Sequence, residues 1–423
     1  MKRGTILLIA MVLLFMCQVQ AMAGEMDILV RKLVEHGVLT QQDADEILLE
    51  TRVEAEKERQ ETIVATREAL MAGEDAPLML AEAIPFFIRN TKIKGDFRLR
   101  YQNSDRNGGT EDRNRGRYRF RLGMVTKVND KVDVGFGIAT GGSDPRSTNQ
   151  TMGNSFDSPD IRLDYAYASY KPLDWLTVVG GKFKNPLWTP VGWLWDSDIR
   201  PEGFSMSMNY KVGGVELFIN NGFWVLDEIK NSSNDPLMWV FQPGYKVKLG
   251  ESAYFKNALA VYQFSSVKGT ELDFSSGSNT TNPDGTLAKD YDSIVMSGEL
   301  GCKTGLVLIP FAALYGEYVN NTDTNSKDSG YIAGFKFGHE KVKKAHQWNA
   351  SAHYQRLERD AWLDIFPDSD AYGGETDSES YVFKFAYGLM EKVSVGTAYY
   401  YSKSLTGSSD QEDIVQVDLL FKF

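Results

Sequence analysis

Val415-Gln416-Val417-Asp418-Leu419-Leu420-Phe421-Lys422-Phe423 places an apolar residue at every odd position and a mostly polar one at every even position. A period of two belongs to a strand with one face in an apolar medium and the other in water. The same alternation recurs upstream. In 378–389, Tyr381, Phe383, Phe385, Tyr387 and Leu389 stand opposite polar or small partners. Several such aromatic faces side by side would be a gross apolar patch on a water-soluble sandwich, whereas lipid requires them.

From Thr91 onward the pattern predicts sixteen strands: 91–102, 113–127, 131–140, 160–171, 174–184, 203–211, 214–222, 237–249, 254–265, 291–302, 305–319, 330–339, 346–356, 378–389, 391–402 and 411–423. One misread segment would make the count fourteen or eighteen. Short connections such as Val128-Asn129-Asp130 and Met390-Glu391 alternate with long ones rich in Asn, Asp, Ser and Gly. Short turns on one side and long loops on the other are the outer-membrane barrel pattern. The expected fold is therefore an all-β membrane protein, a ~16-stranded antiparallel transmembrane β-barrel over 91–423.

Residues 1–23 read as an export signal: Lys2 and Arg3, an apolar core from Ile6 to Cys17, and Ala21-Met22-Ala23 before the cut. Beyond it one cysteine is left, Cys302, which excludes an internal disulfide and a cysteine metal site. No later run is apolar for long enough to form a transmembrane helix. Hydrophobic residues make up 42% of the chain, aromatics 12%, and glycines number 38. That balance suits a wide barrel with a thin apolar exterior and a polar lumen.

Residues 24–75 read as a periplasmic helical segment, with 76–90 as linker. Ile28, Leu29, Leu33 and Val34 repeat at helical spacing, and Gly37 is the expected C-cap. Thr40 is the expected N-cap of a second helix, with Asp43 in place of the usual Glu. The charged stretch from Glu50 to Arg67 is either a solvated helical extension or a coiled coil, and Leu33 to Thr40 resembles helical-hairpin modules that promote oligomerisation. Residues 24–90 hold 15 Asp/Glu against 7 Lys/Arg, and 91–423 hold 42 against 37. Nothing in that balance points to nucleic acid.

Arg113, Arg115, Arg117, Arg119 and Arg121 occupy alternate positions of the second strand, and Arg98 and Arg100 the polar face of the first. An arginine facing lipid at mid-membrane costs ~2–4 kcal/mol, so the row must face the lumen. There it either attracts anions through bidentate sites or is neutralised by lumenal carboxylates and braces the wall. Four histidines and no recognisable nucleophile pattern argue against an enzyme, and no haem motif or cofactor signature is present. Asp368-Ser369-Asp370-Ala371-Tyr372-Gly373-Gly374-Glu375 resembles half a calcium loop, but Tyr372 interrupts it, so an acidic surface loop is expected.

The export signal, acidic helical prefix, Arg-rich second strand, Gly180-Gly181-Lys182-Phe183-Lys184-Asn185-Pro186 and terminal Phe423 resemble the putative porins of proteobacteria, and the related phosphate-selective porins. The resemblance covers about 90–423. It implies a passive, homotrimeric channel for small hydrophilic solutes, held in outer-membrane lipid and lipopolysaccharide. General porins fold their third loop into the barrel. That resemblance makes 186–203, with Trp188, Trp193, Trp195, Asp196 and Asp198, a constriction whose two carboxylates face the arginines; the alternative is that the loop packs on a neighbouring protomer or on the rim. The competing reading is an adhesive or structural barrel with a plugged lumen, whose loops or prefix bind a partner.

Overall fold

The computed structural model describes residues 90–107, 112–230, 233–407 and 410–423, together with 40–45, 47–50 and isolated positions between 32 and 64. The chain divides into two units, Met1–Arg89 and Asn90–Phe423. In the first, residues 41–45 and 47–50 are helical. Thr40 caps this helix as expected: the Asp43 amide donates to Thr40 Oγ1 at 3.2 Å, and the Thr40 amide to Asp43 Oδ2 at 3.2 Å. The export signal, the Gly37 cap and the linker lie outside the described residues.

In the second unit the strands are β1 (Thr91–Arg106), β2 (Arg113–Lys127), β3 (Val132–Ala139), β4 (Gln150–Thr151), β5 (Arg162–Leu173) and β6 (Leu176–Lys182). There follow β7 (Glu202–Val212), β8 (Val215–Val225), β9 (Leu237–Leu249), β10 (Ala253–Ser265), β11 (Ser293–Lys303) and β12 (Phe311–Asn321). The last are β13 (Ser329–Gly338), β14 (Trp348–Leu357), β15 (Ser378–Met390), β16 (Val393–Ser404) and β17 (Gln411–Lys422). Each long strand pairs antiparallel with its neighbours, and β17 returns to β1, so the sheet closes. The two-residue β4 pairs along Arg117 and Tyr118 of β2. The wall is therefore a closed barrel of sixteen antiparallel strands.

The closing seam uses the terminal residue. Phe423 and Gly95 exchange both backbone hydrogen bonds at 3.0 Å. A Cβ on Gly95 would lie 2.4 Å from the Phe423 ring, so only glycine admits the ring there. On β15, Tyr381, Phe383 and Phe385 are exposed, while Ser380 before them and Val382 among them are buried. That is the expected alternation, an apolar belt outside and a second face turned inward.

One strand starts later than its apolar run suggests. Residues 305–310 form a turn, with the Thr304 amide bonded to Pro310 O at 3.1 Å, and β12 begins at Phe311. Gly305 adopts a φ of 74°, and Pro310 has no amide to give a ladder. Leu306, Val307 and Leu308 are correspondingly exposed in the turn.

Candidate functional site

The alternation of β1 and β2 brings the arginines onto one inward face. Register pairs Arg98 with Arg119, Arg100 with Arg117, and Asp96 with Arg121. Like charges directly opposite one another repel, so this wall needs counter-charges. Asp96 takes Arg119 at 2.7 Å and Arg121 at 2.8 Å. Asp418 of β17 takes Arg100 at 2.7 Å and lies 3.6 Å from Arg98. Arg100 also reaches Asp370 at 3.2 Å, and Arg121 reaches Asp198 at 3.1 Å. Arg98 donates to Asn149 as well.

The upper part of the row differs. Arg117 donates to the Gln102 side-chain oxygen at 3.1 Å and to Ser147 at 3.5 Å, and Arg115 to Ser104 at 3.3 Å. Among the described residues neither has a carboxylate ion-pair partner. The Nε atoms of Arg98, Arg115 and Arg117 are buried without a hydrogen-bond acceptor. The ladder thus splits into a neutralised lower part and an upper part with positive charge to spare.

The loop after β6 runs into the barrel. Its apolar residues could not be solvated as a free loop. Trp193 and Leu194 are 1% and 2% exposed, and Trp193 Nε1 donates to Glu317 of β12 at 2.6 Å. Trp195 packs on Phe366 with ring centroids 4.2 Å apart, and edge-on against Trp224 at 5.8 Å and Trp362 at 6.1 Å. Trp188 sits against Phe218 of β8 at 6.3 Å.

The two loop aspartates take different partners. Asp198 accepts from Arg121 and from the amide and hydroxyl of Thr148. Burial opposes its charge, but Arg121 and Arg119 hold its carboxyl below the usual range. Asp196 does not touch the arginines. It accepts from the amide and hydroxyl of Ser369 and from the Asp198 amide. Burial, and then the charge of Asp368, push its carboxyl up to about 8.

Residues 358–377 also fold inward, where the acidic run was expected on the surface. Trp362 and Leu363 are fully buried with Phe366 in the same apolar cluster as Trp193 and Trp195. Asp364 accepts from Ser275 Oγ at 2.9 Å and the Ser278 amide at 2.8 Å, tying in the loop 266–292. Burial of Trp362, Leu363 and Phe366 carries the acidic run inward, and Arg100 at 3.2 Å offsets the charge of Asp370 there. Among the described residues no cluster of three or more potential ligands could hold a metal ion. The inward loop 358–377 was missed from the sequence, although Ala361, Trp362, Leu363, Ile365 and Phe366 carry the same apolar signal that marks 186–203.

His353 faces inward beside Tyr315, their side chains 3.2 Å apart, whereas His346 contacts Tyr387. They share no site. Two cavities are lined by charged side chains. One of about 660 Å³ is lined by Lys94, Asp96, Arg121, Asp164, Asp196 and Arg200. The other, about 400 Å³, is lined by Trp188, Lys211, Glu216, Phe218, Lys246 and Lys256.

The family model for "putative porin" matches residues 106–296 and 290–423. The chain belongs to the putative porin family. This porin's barrel is similar to the Pseudomonas putida OprB structure, at 14% identity and a TM-score of 0.53, over 83% of this chain and 97% of that one. Mutants of the Rh. blastica porin align at 12% identity and TM-scores near 0.45, over 79% of this chain and 100% of theirs. No curated protein matches. Family and closed barrel together make the protein an outer-membrane channel.

Proposed function

We propose that this porin passes small hydrophilic solutes by passive diffusion and favours anions. The observation that carries the preference is the split ladder: Arg98, Arg100, Arg119 and Arg121 have carboxylate partners, while Arg115 and Arg117 have none among the described residues. Lumenal charge acts on ions locally, because screening cuts in beyond ~8–10 Å at physiological salt. The net charge of −11 therefore matters less than these two guanidinium groups. The reversal potential of the parent and of Arg117→Ala in a salt gradient tests the preference.

We further propose a homotrimer, with the helical prefix in the periplasm on the side of the short turns. Lys182 and Glu202 pair on the outward face, in register beside Phe204 and Gly180. The pair closes the loop-side ends of β6 and β7, where an outward charge costs up to ~1 kcal/mol, and a neighbouring protomer would cover it. Mobility of the unheated protein on a denaturing gel, against the heated one, tests the assembly.

A second reading keeps its place because the loops 183–201, 266–292 and 358–377 pack an apolar cluster inside the barrel. On that reading the lumen is plugged and the barrel is adhesive or structural. Planar-bilayer conductance separates the two.

A further inference from the structure

Below the inserted loop, one level of the wall carries an unusual row of charges. Cross-strand register partners run from Lys211 to Glu216, from Glu216 to Lys246, from Lys246 to Lys256, and from Lys256 to Glu299. Each carboxylate is drawn away from the central lysines. Glu216 pairs with Lys211 at 3.2 Å, while Glu299 accepts from the Tyr254 hydroxyl at 2.6 Å and pairs with Lys336. Lys246 and Lys256 are left directly opposite each other, and like charges in that position repel. Among the described residues neither has a carboxylate ion-pair partner.

The rings beside them are held in place. Trp188 is bolted to β9 by Gln242, whose side-chain oxygen accepts from the Trp188 amide at 2.8 Å and whose nitrogen donates to Trp188 O at 2.8 Å. Phe218 lies over Gly244, where a Cβ would stand 2.2 Å from its ring. Lys256 Nζ is 4.4 Å from the Trp188 ring centre and 4.9 Å from that of Phe218, and Lys246 Nζ is 4.0 Å from the Tyr254 ring. The aromatic faces steady both ammonium groups without neutralising them. Trp188, Phe218, Lys246 and Lys256 line the same 400 Å³ recess.

We infer that this recess is a binding site for a small organic carboxylate, its oxygens between Lys246 and Lys256 and its apolar body against Trp188 and Phe218. The pair of ammonium groups answers the carboxylate, and the two rings give an inorganic ion nothing to use. The site deepens the anion-channel reading and rests on it for its place in permeation, while binding itself can be read without conduction.

Saturation-transfer NMR of the detergent-purified full-length protein with benzoate is the direct test. The parent is expected to bind benzoate, Lys246→Gln and Lys256→Gln to bind it about tenfold more weakly, and Lys246→Arg to retain it. Phe218→Leu should weaken benzoate more than acetate. Equal binding by the parent and both Gln variants overturns the site, as does inorganic phosphate displacing benzoate at equal concentration. A parent that conducts chloride but binds no benzoate overturns this inference and leaves the channel standing. One that binds benzoate and records no current overturns the channel reading alone.

Discussion

Arg100 of the barrel wall and Asp370 of an inward-folded loop meet at 3.2 Å, and the same guanidinium holds Asp418 of the closing strand at 2.7 Å. One side chain thus joins the seam of the barrel to a loop folded inside it. On the proposed reading the paired arginines fasten the wall, and Arg115 and Arg117, without carboxylate ion-pair partners among the described residues, meet the solutes.

Arg100→Ala removes a buried guanidinium and takes from the half-buried carboxylates of Asp370 and Asp418 the partner they share. Breaking such a pair costs on the order of 3 kcal/mol. Arg117→Ala loses hydrogen bonds to the neutral acceptors Gln102 and Ser147 and costs about 1–2 kcal/mol. Urea titration in lipid vesicles should rank the two variants in that order. Equal loss, or the reverse order, would show that the ladder does not divide as described.

In a potassium chloride gradient the parent should show an anion-favouring reversal potential. Arg117→Ala should shift it toward cations, and Arg119→Ala should shift it less, because Arg119 is already paired with Asp96 at 2.7 Å. An unchanged potential in Arg117→Ala would place the upper arginines off the permeation path.

The Asp196 carboxyl, pushed up to about 8 from an ordinary value of 3.8, stays protonated in the folded loop where the unfolded chain would ionise. The folded state then binds more protons than the unfolded one between those limits, so the clamp weakens as pH rises from about 4 to 8. Amide exchange at Ser369, whose N–H donates to Asp196, should quicken across that window beyond the intrinsic base-catalysed increase. Asp196→Asn should flatten the excess. A parent with no excess over the intrinsic rate would contradict the assignment.

Deletion of 24–85 should leave a folded, conducting barrel. The seam forms from Gly95 and Phe423, and the first strand begins at Thr91. Failure of the truncated protein to insert in refolding assays would make the prefix part of the barrel's structure.

The sixteen wall strands were legible because a period of two survives wherever one face meets lipid. The start of β12 was not, since Leu306 to Ile309 look like strand and only Pro310 marks the turn. For the lumen, the inward row of arginines could be read from alternation and membrane cost. Its partners could not, because Arg100 and Asp370 lie 270 positions apart and nothing local ties them. The loop 358–377 escaped because its acidic residues were weighed without the apolar ones beside them. Its aspartates enter the barrel behind Trp362 and Phe366.

The most direct measurement is single-channel current of the purified full-length protein in planar lipid bilayers. Passive diffusion through the lumen predicts discrete, ohmic steps that grow with salt concentration. A protein that inserts and records no steps would contradict the account and make the apolar cluster of the three inward loops a plug.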